Sequence, residues 1–397
     1  MQSKAPPPLI AIACGGTGGH LFPGLAVAEV LCQRGCDLVL LVSPKDVDQQ
    51  AVRSIQEMRV VTLPAVGLER GRLAAFARGF WQSLKATRPV FRARKPQAAL
   101  AMGGFTSAPP ILAAYSCGAR TFLHEGNTIP GRANRWLAHV VDQAFVFFPE
   151  AAGRLWHQHI ATTGMPVRPQ FTPADSAACR VALGLDPSRP VLLITGGSQG
   201  ATAINDLMLR LLPAISLLEP ELQYLHLTGA NDTSRVREGY TAQKCRAVVR
   251  PFLTEMDLAL GAATLAISRA GASSLAEQAA MRLPSILIPY PAAADNHQFF
   301  NARAFVETDA ARMVEQSKAS PETLLWEVRR LLKSEVNRQT MIAALAKWHA
   351  ENAASLVADR ILETLPPASR AVLPAPLVEE TAPPSPLLRP ARIEMRI

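Results

Sequence analysis

Two short glycine-rich stretches are where this chain is best equipped to do chemistry. Gly15-Gly16-Thr17-Gly18-Gly19-His20 follows the apolar run 9–13, and Gly196-Gly197-Ser198-Gln199-Gly200 follows the apolar run 191–195. Glycines at a strand end let backbone amides approach an anion, and the helix that follows turns its positive end toward it. Neither stretch is a dinucleotide fingerprint, because Leu21 and Gln199 stand where that pattern needs glycine, and neither carries the Gly-Lys-Ser/Thr of a nucleoside-triphosphate loop. Two matched turns in two matched halves point instead to a ligand bearing a diphosphate, bound in a cleft at the carboxyl ends of two sheets.

Further polar clusters fall at other strand ends. Met102-Gly103-Gly104-Phe105-Thr106-Ser107 brings another glycine pair after the strand at 98–102, and His124-Glu125-Gly126-Asn127 follows the strand at 120–123. Gly164-Met165-Pro166-Val167-Arg168 closes the first half, where an arginine at a hinge suits bidentate capture of a pyrophosphate. The stretch 268–274 follows the strand at 264–268, with Ser273 or Ser274 as the expected N-cap of a helix carrying Glu277. Asp295-Asn296-His297-Gln298 lies just past the strand at 285–289.

The elements that must position these residues alternate strand and helix, the mark of a parallel, doubly wound α/β architecture. Strands are expected at 9–13, 37–43, 59–63, 98–102, 120–123, 144–147 and 160–163, then at 191–195, 223–228, 247–250, 264–268, 285–289 and 312–315. Helices close the second half at 321–333 and 336–363, and the proline-bearing stretch 166–175 is the expected linker. The domains are therefore 1–165 and 166–365, with the last helix able to pack back on the first, followed by a disordered tail at 366–397 that holds eight prolines. A length of 397 residues with 49% hydrophobic and 18% charged side chains fits two domains and excludes wholesale disorder or a fibrous rod. Six scattered cysteines without a Cys-x-x-Cys pair read as reduced, buried thiols.

The net charge of +9 is unevenly placed, since residues 67–95 hold eight Lys/Arg against one Glu. Leu73, Phe76, Phe80 and Leu84 recur there at helical spacing, so a basic amphipathic helix is expected, its partner an anionic membrane surface or a nucleic acid. The uncharged stretch 98–119 is as long as a membrane span, but its Gly-Gly and Pro-Pro pairs break it into strand, loop and helix. Pro6, Pro7 and Pro8 likewise leave too short an apolar run before Cys14 for a signal segment.

Taken in order, the motifs at 15–24, 102–107, 124–127, 164–168, 196–201, 269–277 and 297–302 resemble the MurG family over roughly residues 9–360. These are the UDP-N-acetylglucosamine: lipid I N-acetylglucosaminyltransferases of peptidoglycan synthesis. The resemblance implies a GT-B fold of two Rossmann-like domains facing across a deep cleft. It implies an inverting, metal-independent enzyme without cofactor, peripheral on the cytoplasmic face of the inner membrane, whose product is lipid II. The implied partners are UDP-GlcNAc, lipid I (undecaprenyl-pyrophosphoryl-MurNAc-pentapeptide), the anionic membrane and other cell-wall synthesis proteins, and no nucleic acid. The membrane patch would be Phe76, Phe80, Trp81, Lys85, Arg88, Arg92, Arg94 and Lys95.

Carried over by position, Leu253 meets the uracil through its backbone, and Glu277 accepts from both ribose hydroxyls. Ser198 and Gln199 form the diphosphate loop, Ala272, Ser273, Ser274, Leu275 and Ala276 the helix start facing the nucleotide, and Gln298 reads the GlcNAc hydroxyls. Thr17, Gly18, Gly19, Asn127 and Arg168 match the remaining donor contacts. Gly126 and Met165 depart from the family's usual Gln and Asn, each deleting a side-chain amide. His20 is the expected general base, because imidazole exchanges protons near working pH, with Glu125 as second choice. Other readings are a UDP-GlcNAc 2-epimerase and a non-catalytic UDP-sugar-binding protein; the failed dinucleotide pattern disfavours an oxidoreductase.

Overall fold

The computed structural model describes residues 6–45, 48–49, 52, 58–67, 73–197 and 200–366. Residues 367–397 lie outside it, and so does nearly all of the expected tail. The chain divides into two compact units, one of residues 1–169 with 350–397 and one of residues 170–349.

The first unit holds a parallel sheet of β1 (Leu9–Ala13), β2 (Asp37–Val42), β3 (Arg59–Thr62), β4 (Ala98–Ala101), β5 (Arg120–Glu125), β6 (Gln143–Val146) and β7 (Ile160–Thr162), in the order 3-2-1-4-5-6-7. Its central strands are unbroken apolar runs because both faces are covered. Ile10 and Ile12 point into one layer with Leu21, Leu25 and Leu31, while Leu9, Ala11 and Ala13 point into the other with Leu84, Phe91 and Ile111. The first layer is completed by Val357, Ala358 and Ile361 of the helix Ala353–Glu363, all fully buried. Burying side chains of this size contributes about 1.5–3 kcal/mol each for the larger ones, which ties the end of the chain to the first unit.

The second unit repeats the plan with β8 (Val191–Thr195), β9 (Gln223–Leu227), β10 (Ala247–Arg250), β11 (Leu265–Ser268), β12 (Ser285–Leu287) and β13 (Arg312–Met313), ordered 10-9-8-11-12-13. Strand order reverses between β1 and β4 in one sheet and between β8 and β11 in the other. Such switch points open a crevice at the carboxyl ends of the strands, and both glycine turns lie there.

Four expectations need correction. The helix expected at 336–363 is two, Glu335–Trp348 and Ala353–Glu363, because His349 is extended and the chain there leaves one unit for the other. Strand β5 runs on through His124 and Glu125, which pair with Phe145 and Val146, so these residues sit on the sheet. The helix Ala272–Ala280 is capped by Gly271, placing Ser273 and Ser274 inside its first turn instead of at the N-cap. All six cysteines are free thiols, but Cys32, Cys117 and Cys245 are only partly buried.

Candidate active site

In the first unit, His20 is the third residue of the helix Gly18–Gln33, whose N-cap is Thr17. Thr17 Oγ1 and His20 Nδ1 lie 3.0 Å apart. The imidazole rests on the turn at Gly103-Gly104, where a Cβ on either glycine would come within 3.0 Å of the ring. Gly104 also has φ +77°, so it is glycine on two counts: the left-handed backbone and the ring above it. Thr106 Oγ1 donates to Gly15 O at 2.5 Å, fastening the turn after β4 to the turn after β1.

Glu125 is 2% exposed, and both carboxylate oxygens are engaged by its own loop. Oε1 accepts from Asn127 N (2.8 Å) and Nδ2 (3.2 Å), and Oε2 from Gly131 N (2.9 Å) and Asn134 Nδ2 (3.0 Å). Burial pushes its carboxyl above the usual range, against the pull of those four donors. This geometry makes Glu125 the anchor of the loop that carries Asn127. Its neighbour His124 is buried and held down to about 4 by desolvation, and its Nε2 meets Gly164 O at 2.9 Å. Arg168 lies over the Phe22 ring, 4.3 Å from its centroid, which brings the hinge arginine beside the helix of His20.

In the second unit, Gly200 packs on the end of β9, and Thr195 Oγ1 accepts from Gly197 N at 3.2 Å. Ser198 and Gln199 lie outside the described residues. Within the helix Ala272–Ala280, Ala272, Leu275 and Ala276 are core side chains, so only their backbone is offered to a ligand, whereas Ser273, Ser274 and Glu277 are half-buried. Leu253 is buried beside the exposed Phe252. Gln298 opens the helix His297–Glu307, with its carboxamide oxygen accepting from Tyr290 N and Ala270 N.

The basic helix spans Leu73–Ala93. Its inner face is made of Gly79, Ser83, Leu84, Thr87, Val90 and Phe91, where Gly79, Ser83 and Thr87 let it approach the unit closely and Leu84, Val90 and Phe91 fill the core. Apart from Phe91, the large rings of this helix are therefore not on the packed face. Leu73 is 68% and Trp81 57% exposed, Phe76 and Phe80 are half-buried against each other, and Lys85, Arg88, Arg92 and Lys95 are exposed. Arg94 departs from the expected patch, because it is bound to Asp37 and to Pro7 O. Among the described residues no helix is long and apolar enough to cross a membrane.

Two groups carry contacts that the motifs do not show. Asp48, fully buried, accepts from Gly16 N (2.7 Å), Ser43 N (3.0 Å) and Ser43 Oγ (2.5 Å) on one oxygen. It belongs to an Asp-x-Asp triplet, Asp46-Val47-Asp48, which corrects the expectation that the chain holds none and removes that support for a metal-independent site. Asp48 is turned inward as a clamp, Asp46 lies outside the described residues, and among those described no three His, Cys, Asp or Glu side chains gather as metal ligands. The other is Arg269, which holds the loop after β12 to the end of β11.

Residues 10–146 match the glycosyltransferase family 28 N-terminal domain, and residues 191–361 match the glycosyltransferase family 28 C-terminal domain. The chain is 35% identical to the UDP-N-acetylglucosamine–N-acetylmuramyl-(pentapeptide) pyrophosphoryl-undecaprenol N-acetylglucosamine transferase of Anaeromyxobacter dehalogenans, over 89% of this chain and 92% of that one. A protein of the same name from Moorella thermoacetica is 35% identical over 90% of this chain and 99% of its own. The crystal structure of Acinetobacter baumannii MurG aligns with a TM-score of 0.70 at 27% identity, over 90% of this chain and all of that one. A UDP-N-acetylglucosamine 2-epimerase aligns at 0.66 but with 13% identity, over 90% of this chain and 95% of that one, a likeness of fold alone. The fold is GT-B, and the chain belongs to the MurG family of glycosyltransferases.

Proposed function

We infer that this chain moves N-acetylglucosamine from UDP-GlcNAc to the 4-hydroxyl of the MurNAc residue of lipid I, giving lipid II. The observation that carries this is identity of 35% through both halves with transferases of that name. In the proposed mechanism His20 is the general base. For Nε2 to take the acceptor proton, Nδ1 must carry the hydrogen and donate it to Thr17 Oγ1. The acceptor oxygen attacks the anomeric carbon as the bond to the UDP oxygen breaks, inverting α to β, and the proton of the 4-hydroxyl passes to His20. Charge growing on the leaving diphosphate is met by the Ser198-Gln199 loop and by Arg168. Glu277 takes the ribose hydroxyls, Gln298 the sugar, and Leu253 the uracil. Thr17, Gly18, Gly19 and Asn127 complete the donor contacts, with Glu125 acting through Asn127.

The acceptor is a membrane lipid, and the outward face of the helix Leu73–Ala93 suits the anionic surface in which such a lipid sits. At about 1 kcal/mol per basic residue near that surface, Lys85, Arg88, Arg92 and Lys95 supply several kcal/mol before screening, with Trp81 as an apolar anchor. Neutralising those four should weaken co-sedimentation with anionic vesicles at least tenfold; equal binding would remove the membrane face from the proposal. The transfer itself is tested by UDP release from UDP-GlcNAc with and without lipid I. Release that depends on lipid I is expected, and formation of UDP-ManNAc without lipid I would replace the reading with an isomerase.

A further inference from the structure

Gln298 holds its carboxamide oxygen against two backbone amides, Tyr290 N at 3.0 Å and Ala270 N at 3.3 Å. Backbone N–H groups only donate, so the oxygen faces them and Nε2 is directed to the opposite side. One of these amides belongs to the loop after β12 and the other to the segment after β11. Arg269 joins the two segments. Its guanidinium, in a residue 8% exposed, donates from Nη1 to Ile288 O (2.9 Å) and Pro289 O (3.2 Å) and from Nη2 to Gln316 Oε1 (2.8 Å). It also lies 5.3 Å from the centroid of the Tyr290 ring, while Asn301 Nδ2 donates to Ala270 O at 3.2 Å.

We propose that Arg269 is a positioning residue for recognition of the donor sugar: it sets the spacing of the Tyr290 and Ala270 amides and thereby the direction in which Gln298 donates from Nε2. This rests on the reading of Gln298 as the sugar-facing side chain. A carboxamide whose oxygen is already occupied can offer only a donor, so it selects a sugar hydroxyl whose oxygen stands at one place. The C4 epimer, UDP-GalNAc, moves that oxygen and is disfavoured. Three diverging neutral acceptors call for a planar fork, and a lysine ammonium cannot span them. Among the described residues no carboxylate pairs with Arg269, so its buried charge is spent on holding backbone carbonyls.

The test uses the full chain and measures affinity for UDP, UDP-GlcNAc and UDP-GalNAc, together with kcat/KM for the two sugar donors. In Arg269→Lys, UDP affinity should stay within about twofold of wild type while preference for UDP-GlcNAc over UDP-GalNAc falls about tenfold. Gln316→Ala should lose preference in the same direction to a smaller degree, and it carries the test alone if Arg269→Lys does not fold. Arg269→Lys combined with Gln298→Ala should be no less selective than Gln298→Ala, because both act through one side chain. Parallel loss of UDP and UDP-GlcNAc affinity, unchanged preference in Gln316→Ala, or additive effects in the double variant would each overturn the proposal. A wild-type chain with no preference between the two donors would overturn the reading of Gln298 itself, and this proposal with it.

Discussion

The two glycine turns look alike in sequence and differ in what stands behind them. The first is backed by a carboxylate: Asp48 takes the Gly16 amide, and its second oxygen is buried without a partner among the described residues. The second is backed by a mixed network of an amide, an imidazole and a carboxylate. Asn205 Nδ2 donates to Thr228 O, the carbonyl against which Gly200 packs, and Asn205 Oδ1 meets Nε2 of the buried His226 at 2.9 Å. Asp232 joins this network, its Oδ2 accepting from Asn205 Nδ2 and from Thr202 Oγ1 (both 2.8 Å) at the start of the helix Thr202–Leu218, while Arg235 meets its Oδ1 at 2.9 Å. A turn whose amide is spent on a buried carboxylate is a poor cradle for a diphosphate, whereas among the described residues the second turn's glycine amides donate to no carboxylate, and Asp232 is paired with Arg235. We therefore read the shared pattern as serving two ends, a mount for the proposed base His20 in one unit and the proposed diphosphate loop in the other.

The largest effect is expected at the mount. His20→Ala should lower kcat for lipid I-dependent UDP release by about 10²- to 10⁴-fold while leaving UDP-GlcNAc affinity nearly unchanged. A turnover close to wild type would return the base to another group and erase the distinction between the turns.

Next comes the second turn itself. Gly200 has φ +74°, and a Cβ there would lie 2.3 Å from Thr228 O. Gly200→Ala should cost at least about 2 kcal/mol, from the left-handed backbone and the overlap together, and should weaken UDP binding. Urea unfolding and UDP titration report the two parts separately, and intact UDP affinity in a folded variant would argue that the loop holds no diphosphate.

Asp48→Asn sharpens the contrast from the other side. It should cost about 1–3 kcal/mol in unfolding free energy and reduce kcat severalfold without changing UDP affinity. If substrate binding tightened instead, the first turn would be an anion site restrained by its carboxylate.

The smallest expected effect is a pH dependence of stability. Desolvation holds His226 down to about 3 and His124 to about 4, both below the ordinary imidazole value. The unfolded chain therefore binds protons that the folded chain refuses. Their contribution is complete above about pH 6.5 and is lost as pH falls toward those values, by about 1 kcal/mol per histidine at pH 5.5. Glu125 has the opposite sign, since burial raises its carboxyl and folding favours its protonated form as pH falls. Replacing His226 by Gln leaves Glu125 and His124 in place, so the variant should lose less stability than wild type between pH 7 and 5.5. Equal slopes in chemical denaturation would mean that His226 titrates normally in its network.

Much of the fold was legible because parallel strands covered on both faces must be apolar along their whole length. Runs such as Leu9–Ala13 and Val191–Thr195 are therefore visible without any partner. The same holds for the turns that follow them, since glycine marks places where a side chain cannot fit. Less visible was the basic helix, where periodicity picked out Leu73, Phe76, Phe80 and Leu84 as one stripe, of which only Leu84 is buried. Gly79, Ser83 and Thr87 decided which face packs inward, because close approach favours small residues over large rings. Arg94 was counted among exposed charges by composition and proved to be held by Asp37, 57 positions away.

By itself the sequence determined the two-unit α/β plan, the strands, the motif order of the MurG family and the identity of His20, Glu125, Arg168, Glu277 and Gln298 as polar groups in the segments at and after strand ends. These follow from local pattern: apolar runs, glycine turns and spacing along one chain. Only the tertiary structure decided what each polar group is bound to. Glu125 is saturated by its own loop, Asp48 stands behind Gly16, and Arg269 ties the end of β11 to the loop after β12. Such hydrogen bonds leave no periodic trace, because a buried polar group needs one partner in space and nothing along the chain records where it lies.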